Sequence, residues 1–105
     1  MLVMFHCFDN ENQQQVRLTH LAAHLTWVEQ NMKKIKVAGP LLGDNEEITG
    51  SMYVLEAQSI DEANQLLAQD PYHQAAIWQR IIINEFKDYA GSWVGGKNWP
   101  GANNS

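Results

Sequence analysis

The sequence predicts an α+β fold: a four-stranded antiparallel sheet with two helices packed on one of its faces. Three observations carry this. Short runs rich in β-branched and aromatic residues alternate with stretches of helical spacing. Capping and proline signals punctuate the second half of the chain. Two of the strands are apolar on both sides, which a sheet with one wet face does not require.

Leu2 to Phe8 reads as a strand, since every residue except His6 is apolar and a polar loop follows from Asp9. Gln13 to Lys34 has helical spacing, with Leu18, Leu21, Leu25, Val28 and Met32 recurring at steps of three and four on one stripe expected to face the core. No Gly or Pro interrupts it, and Lys33 and Lys34 suit the negative pole of the helix dipole. Ile35 to Leu42 is a second strand; Pro40 cannot donate to a ladder, which places it at an edge or a bulge. Gly43 to Gly50 is polar and acidic and reads as a loop, and Ser51 to Ala57 as a third strand, with Met52 and Val54 on one face and Tyr53 and Leu55 on the other. Ser59-Ile60-Asp61-Glu62 has the form of a capping box and opens a helix to about Gln69. Asp70-Pro71 is a fresh helix start, because Asp caps well and Pro fits the first helical position. Gln79 to Lys87, with Ile81, Ile82 and Ile83, is the fourth strand. The order β-α-β-β-α-β is the split β-α-β, or ferredoxin-like, arrangement.

The 105 residues fit one domain, placed at residues 1–90, followed by a Gly-, Asn- and Trp-containing tail of irregular structure at residues 91–105. With 12 acidic against 7 basic residues and no basic cluster beyond Lys33, Lys34 and Lys36, nucleic acid is not expected as a partner. No apolar stretch approaches the length of a membrane span, and the apolar start lacks the basic leader and cleavage site of a signal peptide. One cysteine, Cys7, excludes an internal disulfide, and a reducing compartment, the cytoplasm, is the expected location. Because Val3-Met4-Phe5 and Ile81-Ile82-Ile83 are apolar on both faces while helices cover one, a homodimer with sheets packed face to face is expected.

Among titratable residues, His20 and His24 lie one helical turn apart, a spacing that can hold a metal, but Leu21, Ala22 and Ala23 between them supply no glutamate base and one cysteine completes no zinc site. No metal is expected. The chain has no G-x-S-x-G, G-x-G-x-x-G or G-K-[ST] motif, so neither a serine hydrolase nor a nucleotide cofactor is indicated, and no cofactor is expected. His24 flanks the apolar stripe and should sit half-buried where helix meets sheet; imidazole exchanges protons near neutral pH, yet such a histidine is more often simply packed. Asp70 has a complete role as a helix cap, and loop geometry could also aim its carboxylate at a neighbour. Cys7 reads as a small buried hydrophobe; Trp78, Trp93 and Trp99 could line a pocket or an interface, with core packing or tail anchoring the expected role.

The run Arg17-Leu18-Thr19-His20-Leu21-Ala22-Ala23-His24-Leu25, then Ala38-Gly39-Pro40, Gly50-Ser51 and Asp70-Pro71-Tyr72, resembles the YciI-like family (YCII-related domain) over roughly Met1 to Lys87. The resemblance implies a dimeric α+β barrel. It also implies that His24 and Asp70 form an active-site pair beside a cleft. Arg17, Gly39, Gly50, Ser51 and Tyr72 are the residues expected to contact the substrate. Family members include a dehydrochlorinase acting on a chlorinated hydroxyquinol, and broader relatives handle lactones and cyclic ketones. Members often carry a second arginine where this chain has Leu21, which points to a less charged substrate.

The function expected is proton transfer by a His24–Asp70 pair, isomerase-like or lyase- and dehydrochlorinase-like, on a lactone or a hydroxylated cyclic molecule. Asp70 would hold one ring nitrogen of His24 while the other removes a proton. Backbone amides near Gly39 or Gly50-Ser51 would stabilise the resulting enolate. The alternatives are a dimer that binds a small organic molecule without turning it over, and an interaction protein whose tail docks a partner.

Overall fold

The computed structural model describes residues 1–103. Its main sheet comprises β1 (Leu2–Asp9), β2 (Ile35–Leu42), β3 (Ile48–Glu56) and β4 (Trp78–Phe86), in the order β2-β3-β1-β4 with every neighbouring pair antiparallel. Three helices, α1 (Gln14–Gln30), α2 (Ile60–Ala68) and the single-turn α3 (Pro71–Gln74), complete the β-α-β-β-α-β plan. Among the described residues no helix is long and apolar enough to cross a membrane.

Alternation along β1 shows how the sheet is built. Val3, Phe5 and Cys7 are fully buried, whereas Leu2, Met4, His6 and Phe8 on the other face are half-buried. The inward set packs with Tyr53 and Leu55 of β3, with Trp27 of α1, and with Ala63, Leu66 and Leu67 of α2. Gly50 stands opposite both Leu41 and Phe8, and a Cβ there would run into the carbonyl oxygen of Cys7; the strands close up because this residue has no side chain. Pro40 lies on the edge strand β2 opposite Ser51, and an edge strand is where a residue without an N–H is tolerated.

The caps form as the sequence spells them. The Ser59 hydroxyl accepts from the Glu62 amide at 3.0 Å, and the Asp70 carboxylate accepts from the Tyr72 amide at 2.9 Å with Pro71 at the first helical position.

Three expectations are corrected. The leucine stripe of α1 does not face the core: Leu18 is 65% exposed, and Leu21, Leu25 and Met32 also face outward. The helix is turned by roughly a quarter-turn, at about 100° per residue, so that Arg17, His24, Trp27 and Val28 lie inward. The physical reason is that Trp27 has the largest apolar surface to bury, and polar partners for Arg17 and His24 wait beneath them. Second, the acidic loop is shorter than expected: a 3₁₀ turn at Asp44–Glu46 leads directly into β3, which starts at Ile48. Third, the tail is not irregular from Gly91 onward. Ala90–Gly91 (β5) pairs with Gly96–Lys97 (β6) around a 3₁₀ turn at Ser92–Val94, a reversal allowed by Gly91 and Gly95 at φ 136° and 85°. Trp93 projects from it, 85% exposed, so among the described residues it is not a buried anchor. The last two tail positions, Asn104 and Ser105, lie outside the described residues.

Candidate active site

Three elements converge on the helix-covered side of the sheet. α1 presents Arg17 and His24, β3 presents Ser51 and Tyr53, and the start of α3 presents Asp70 and Tyr72. Asp70 is the hub. It is 0% exposed, and burying a carboxylate is costly unless donors replace the lost water. Three do so. Oδ1 lies 2.8 Å from His24 Nδ1 and accepts from the Tyr72 amide at 2.9 Å, while Oδ2 accepts from the Tyr53 hydroxyl at 2.7 Å. The cap of α3 and the partner of the imidazole are thus the same oxygen.

Since a carboxylate only accepts, the neutral His24 ring carries its proton on Nδ1 and leaves the Nε2 lone pair free. Nε2 has no hydrogen-bond partner among the described residues, and the side chain retains 14% of its exposure. The ring is held flat on Tyr72, with centroids 3.9 Å apart and planes within 4° of parallel. The Arg17 guanidinium in turn sits 5.1 Å from the Tyr72 ring centroid. The Tyr72 hydroxyl donates to the Arg17 carbonyl at 3.3 Å, which ties α3 to α1.

Arg17 is buried and grips Asp9 through two bonds of 2.8 Å, from Nε and Nη2; Nη2 also donates to Ser51 Oγ at 2.9 Å. Burial by itself would pull the guanidinium pKa down, but the hydrogen bond and charge of Asp9, helped by Tyr72 and Tyr53, raise it instead. Its positive charge is therefore neutralised within the protein. This bears on the expected substrate-contacting set: Arg17 is bonded to both Asp9 and Ser51, and Tyr72 lies buried between Arg17 and His24. Gly50 lies in the interior strand β3, opposite Leu41 and Phe8. Gly39 is on the edge strand opposite Met52, with open space where a side chain would begin.

The cleft expected beside the pair is not one of the hollows described. The larger, about 790 Å³, lies over the opposite face of the sheet, lined among others by Leu2, Met4, Met52, Phe86 and Trp93. The smaller, about 300 Å³, is lined by polar residues including Asp9, Asn10, Gln14 and Glu47. His24 and Asp70 line neither.

Cys7, fully buried, has its thiol pushed up to about 12 by burial and by the charges of Asp70 and Asp9, against a smaller opposing effect of Arg17. It is no nucleophile near neutral pH. Among the described residues no group of three His, Cys, Asp or Glu is arranged to hold a metal. Two residues central to the cluster, Asp9 and Tyr53, were not singled out from the sequence. Asp9 reads there as the first residue of a loop, and Tyr53 as a strand residue sharing a face with Leu55; nothing local marks either as a partner.

Against this geometry, residues 1–87 match the model of the YCII-related domain. Among solved structures, the chain is similar to 5-chloro-2-hydroxyhydroquinone dehydrochlorinase from Burkholderia phenoliruptrix AC1100, determined in complex with 2,5-dihydroxybenzoquinone. The two are 34% identical over 88% of this chain and 97% of that one, with a TM-score of 0.76. A protein from Agrobacterium tumefaciens is 11% identical over 83% of this chain and 92% of that one, with a TM-score of 0.48. A NIPSNAP family protein from the same organism is 14% identical over 85% and 88%, also with a TM-score of 0.48. No curated protein matches the chain.

Proposed function

The chain belongs to the YCII-related domain family, and from that premise we propose that it is a small-molecule enzyme in which His24, held by Asp70, moves protons on a hydroxylated ring and expels a leaving group. The observation that carries the reading is the 2.8 Å contact from His24 Nδ1 to a fully buried carboxylate, which leaves Nε2 as the one open nitrogen.

The substrate class is a polyhydroxylated, chlorinated ring like that in the name of the dehydrochlorinase relative. Nε2 takes a ring hydroxyl proton, and the imidazolium returns it to the carbon bearing chlorine, giving a keto form. Nε2 then takes a second hydroxyl proton as the C–Cl bond breaks with its electron pair. The products are a hydroxyquinone, chloride and a proton; the carbon–chlorine bond supplies the oxidising equivalents, so no external oxidant is needed. Asp70 stabilises each imidazolium, and positioned base catalysis of this kind contributes about 10²–10⁴-fold. Arg17, its charge neutralised by Asp9, braces Tyr72 and the imidazole rather than clamping an anion, in keeping with a substrate that enters uncharged.

We further propose a cytoplasmic homodimer, a second copy covering the open face of the sheet where Leu2, Met4, Met52 and Phe86 line the larger hollow. The catalytic reading is tested by chloride release from 5-chloro-2-hydroxyhydroquinone. Wild-type protein releases chloride, and His24→Gln does so about 10²–10⁴-fold more slowly. Equal rates for the two proteins overturn it.

A further inference from the structure

We infer that Tyr53 is a positioning residue of this site: its hydroxyl, donated to Oδ2 of Asp70, fixes the carboxylate and keeps the shared proton on the His24 imidazole. The inference rests on the His24–Asp70 reading above and extends it by one buried residue.

Tyr53 projects inward from β3 and is 2% exposed. Its ring stands edge-on to Trp27, with centroids 6.2 Å apart, and edge-on to Trp78, with centroids 5.8 Å apart. Core packing therefore decides where the hydroxyl sits. Among the described residues both indole N–H groups are buried without a hydrogen-bond partner, and the one donor to Oδ2 is Tyr53. Water cannot stand in for it, because Asp70 has no exposed surface.

The phenol is a dependable donor. Burial, and then the charge and hydrogen bond of Asp70, push its pKa far above the usual tyrosine range, so it keeps its proton at any working pH. The consequence for His24 runs through the carboxylate. A hydrogen bond donated to an anion lowers that anion's basicity, and an Oδ2 left bare in a dry site becomes a stronger base. When Nε2 accepts a substrate proton, the Nδ1 proton then has two resting places, the imidazole and Asp70. Donation from Tyr53 favours the first, which keeps Asp70 ionised as the counter-charge to the imidazolium. Tyr53 makes this one side-chain hydrogen bond, and it touches His24 only by way of Asp70.

Tyr53→Phe separates the hydroxyl from the ring, since phenylalanine keeps the stacking surface against both tryptophans. In proton NMR of the resting protein, the His24 Nδ1–H resonance moves downfield relative to wild type as Asp70 becomes the stronger acceptor. With 5-chloro-2-hydroxyhydroquinone, kcat falls about 10-fold while KM stays within about twofold, and the acid limb of the pH–rate profile moves to higher pH. In an Asp70→Asn background, adding Tyr53→Phe changes turnover no further, because its effect passes through the carboxylate. An unchanged Nδ1–H resonance, or effects that add fully in the double variant, overturn the role of Tyr53. The dyad reading fails separately: turnover at the wild-type rate by His24→Gln removes it whatever Tyr53→Phe does. A slow His24→Gln beside a Tyr53→Phe indistinguishable from wild type removes Tyr53 alone.

Discussion

Replacing Asp70 by Asn and by Ala distinguishes its two duties, helix cap and partner of His24. Asparagine caps as well as aspartate, and its oxygen can still accept from the Tyr72 amide and from His24 Nδ1. Its amide nitrogen then faces the Tyr53 oxygen, which can turn from donor to acceptor. Three contacts survive as neutral bonds, each weaker by about 1 kcal/mol than its charge-assisted form. Relief from burying a full charge offsets part of that total of roughly 3 kcal/mol, so a net loss of about 1–2 kcal/mol is expected. Alanine instead strands the Tyr72 amide and the Tyr53 hydroxyl, at about 1–3 kcal/mol each, and opens a small void. The sum of about 3–6 kcal/mol approaches the whole stability of a domain this size. Thermal melts should place Asp70→Asn within about 10 °C of wild type and Asp70→Ala some 15 °C or more below it. Chloride release by the folded Asn variant should fall about 10- to 100-fold, because a neutral amide no longer stabilises the imidazolium. Wild-type turnover by Asp70→Asn, or wild-type stability of Asp70→Ala, refutes this reasoning.

Gly50→Ala should destabilise by about 1–3 kcal/mol in urea titrations because its Cβ meets the Cys7 carbonyl, whereas Gly39→Ala should stay within about 1 kcal/mol of wild type. Alkaline stability provides a second check. With the folded Cys7 thiol near 12 against 9.0 in the unfolded chain, the folded state binds more protons above pH 9, so stability falls as pH rises through that window. Between pH 8 and pH 10.5 wild-type protein should lose about 2 kcal/mol on this account, a slope that Cys7→Ala lacks; parallel slopes contradict the assignment. If the sheets pair as proposed, Met4→Lys, on the open face of the sheet, should give a monomer by light scattering where wild type gives a dimer, and a variant that keeps a wild-type dimer mass counts against sheet-to-sheet packing.

The strands and caps were legible because their causes are local. Alternation in β1, the Ser59 and Asp70 caps and the proline of the edge strand each act within a few residues. The facing of α1 was not legible for the opposite reason. Arg17 turns inward because Asp9, eight residues earlier, and Ser51, 34 residues later, satisfy it; His24 does so because of Asp70, 46 residues away. Hydrophobic periodicity weighs none of these partners and selected the leucines a quarter-turn off. His24 and Asp70 could be named from the family motifs, but Tyr53 could not, since in sequence it is only an aromatic residue on one face of a strand. The hairpin in the tail was hidden by composition. Its glycines signal irregular chain and positive-φ turns equally well, and only the pairing of Ala90 with Lys97 decides between them.

The tautomer of His24 in the resting protein, read from the nitrogen NMR shifts of its ring, bears most directly on the proton-transfer chemistry. A protonated Nδ1 beside an unprotonated Nε2 is the result expected from the contact with Asp70. The reverse assignment, with the proton on Nε2, would leave the ring without a free base at its open edge and contradict the account.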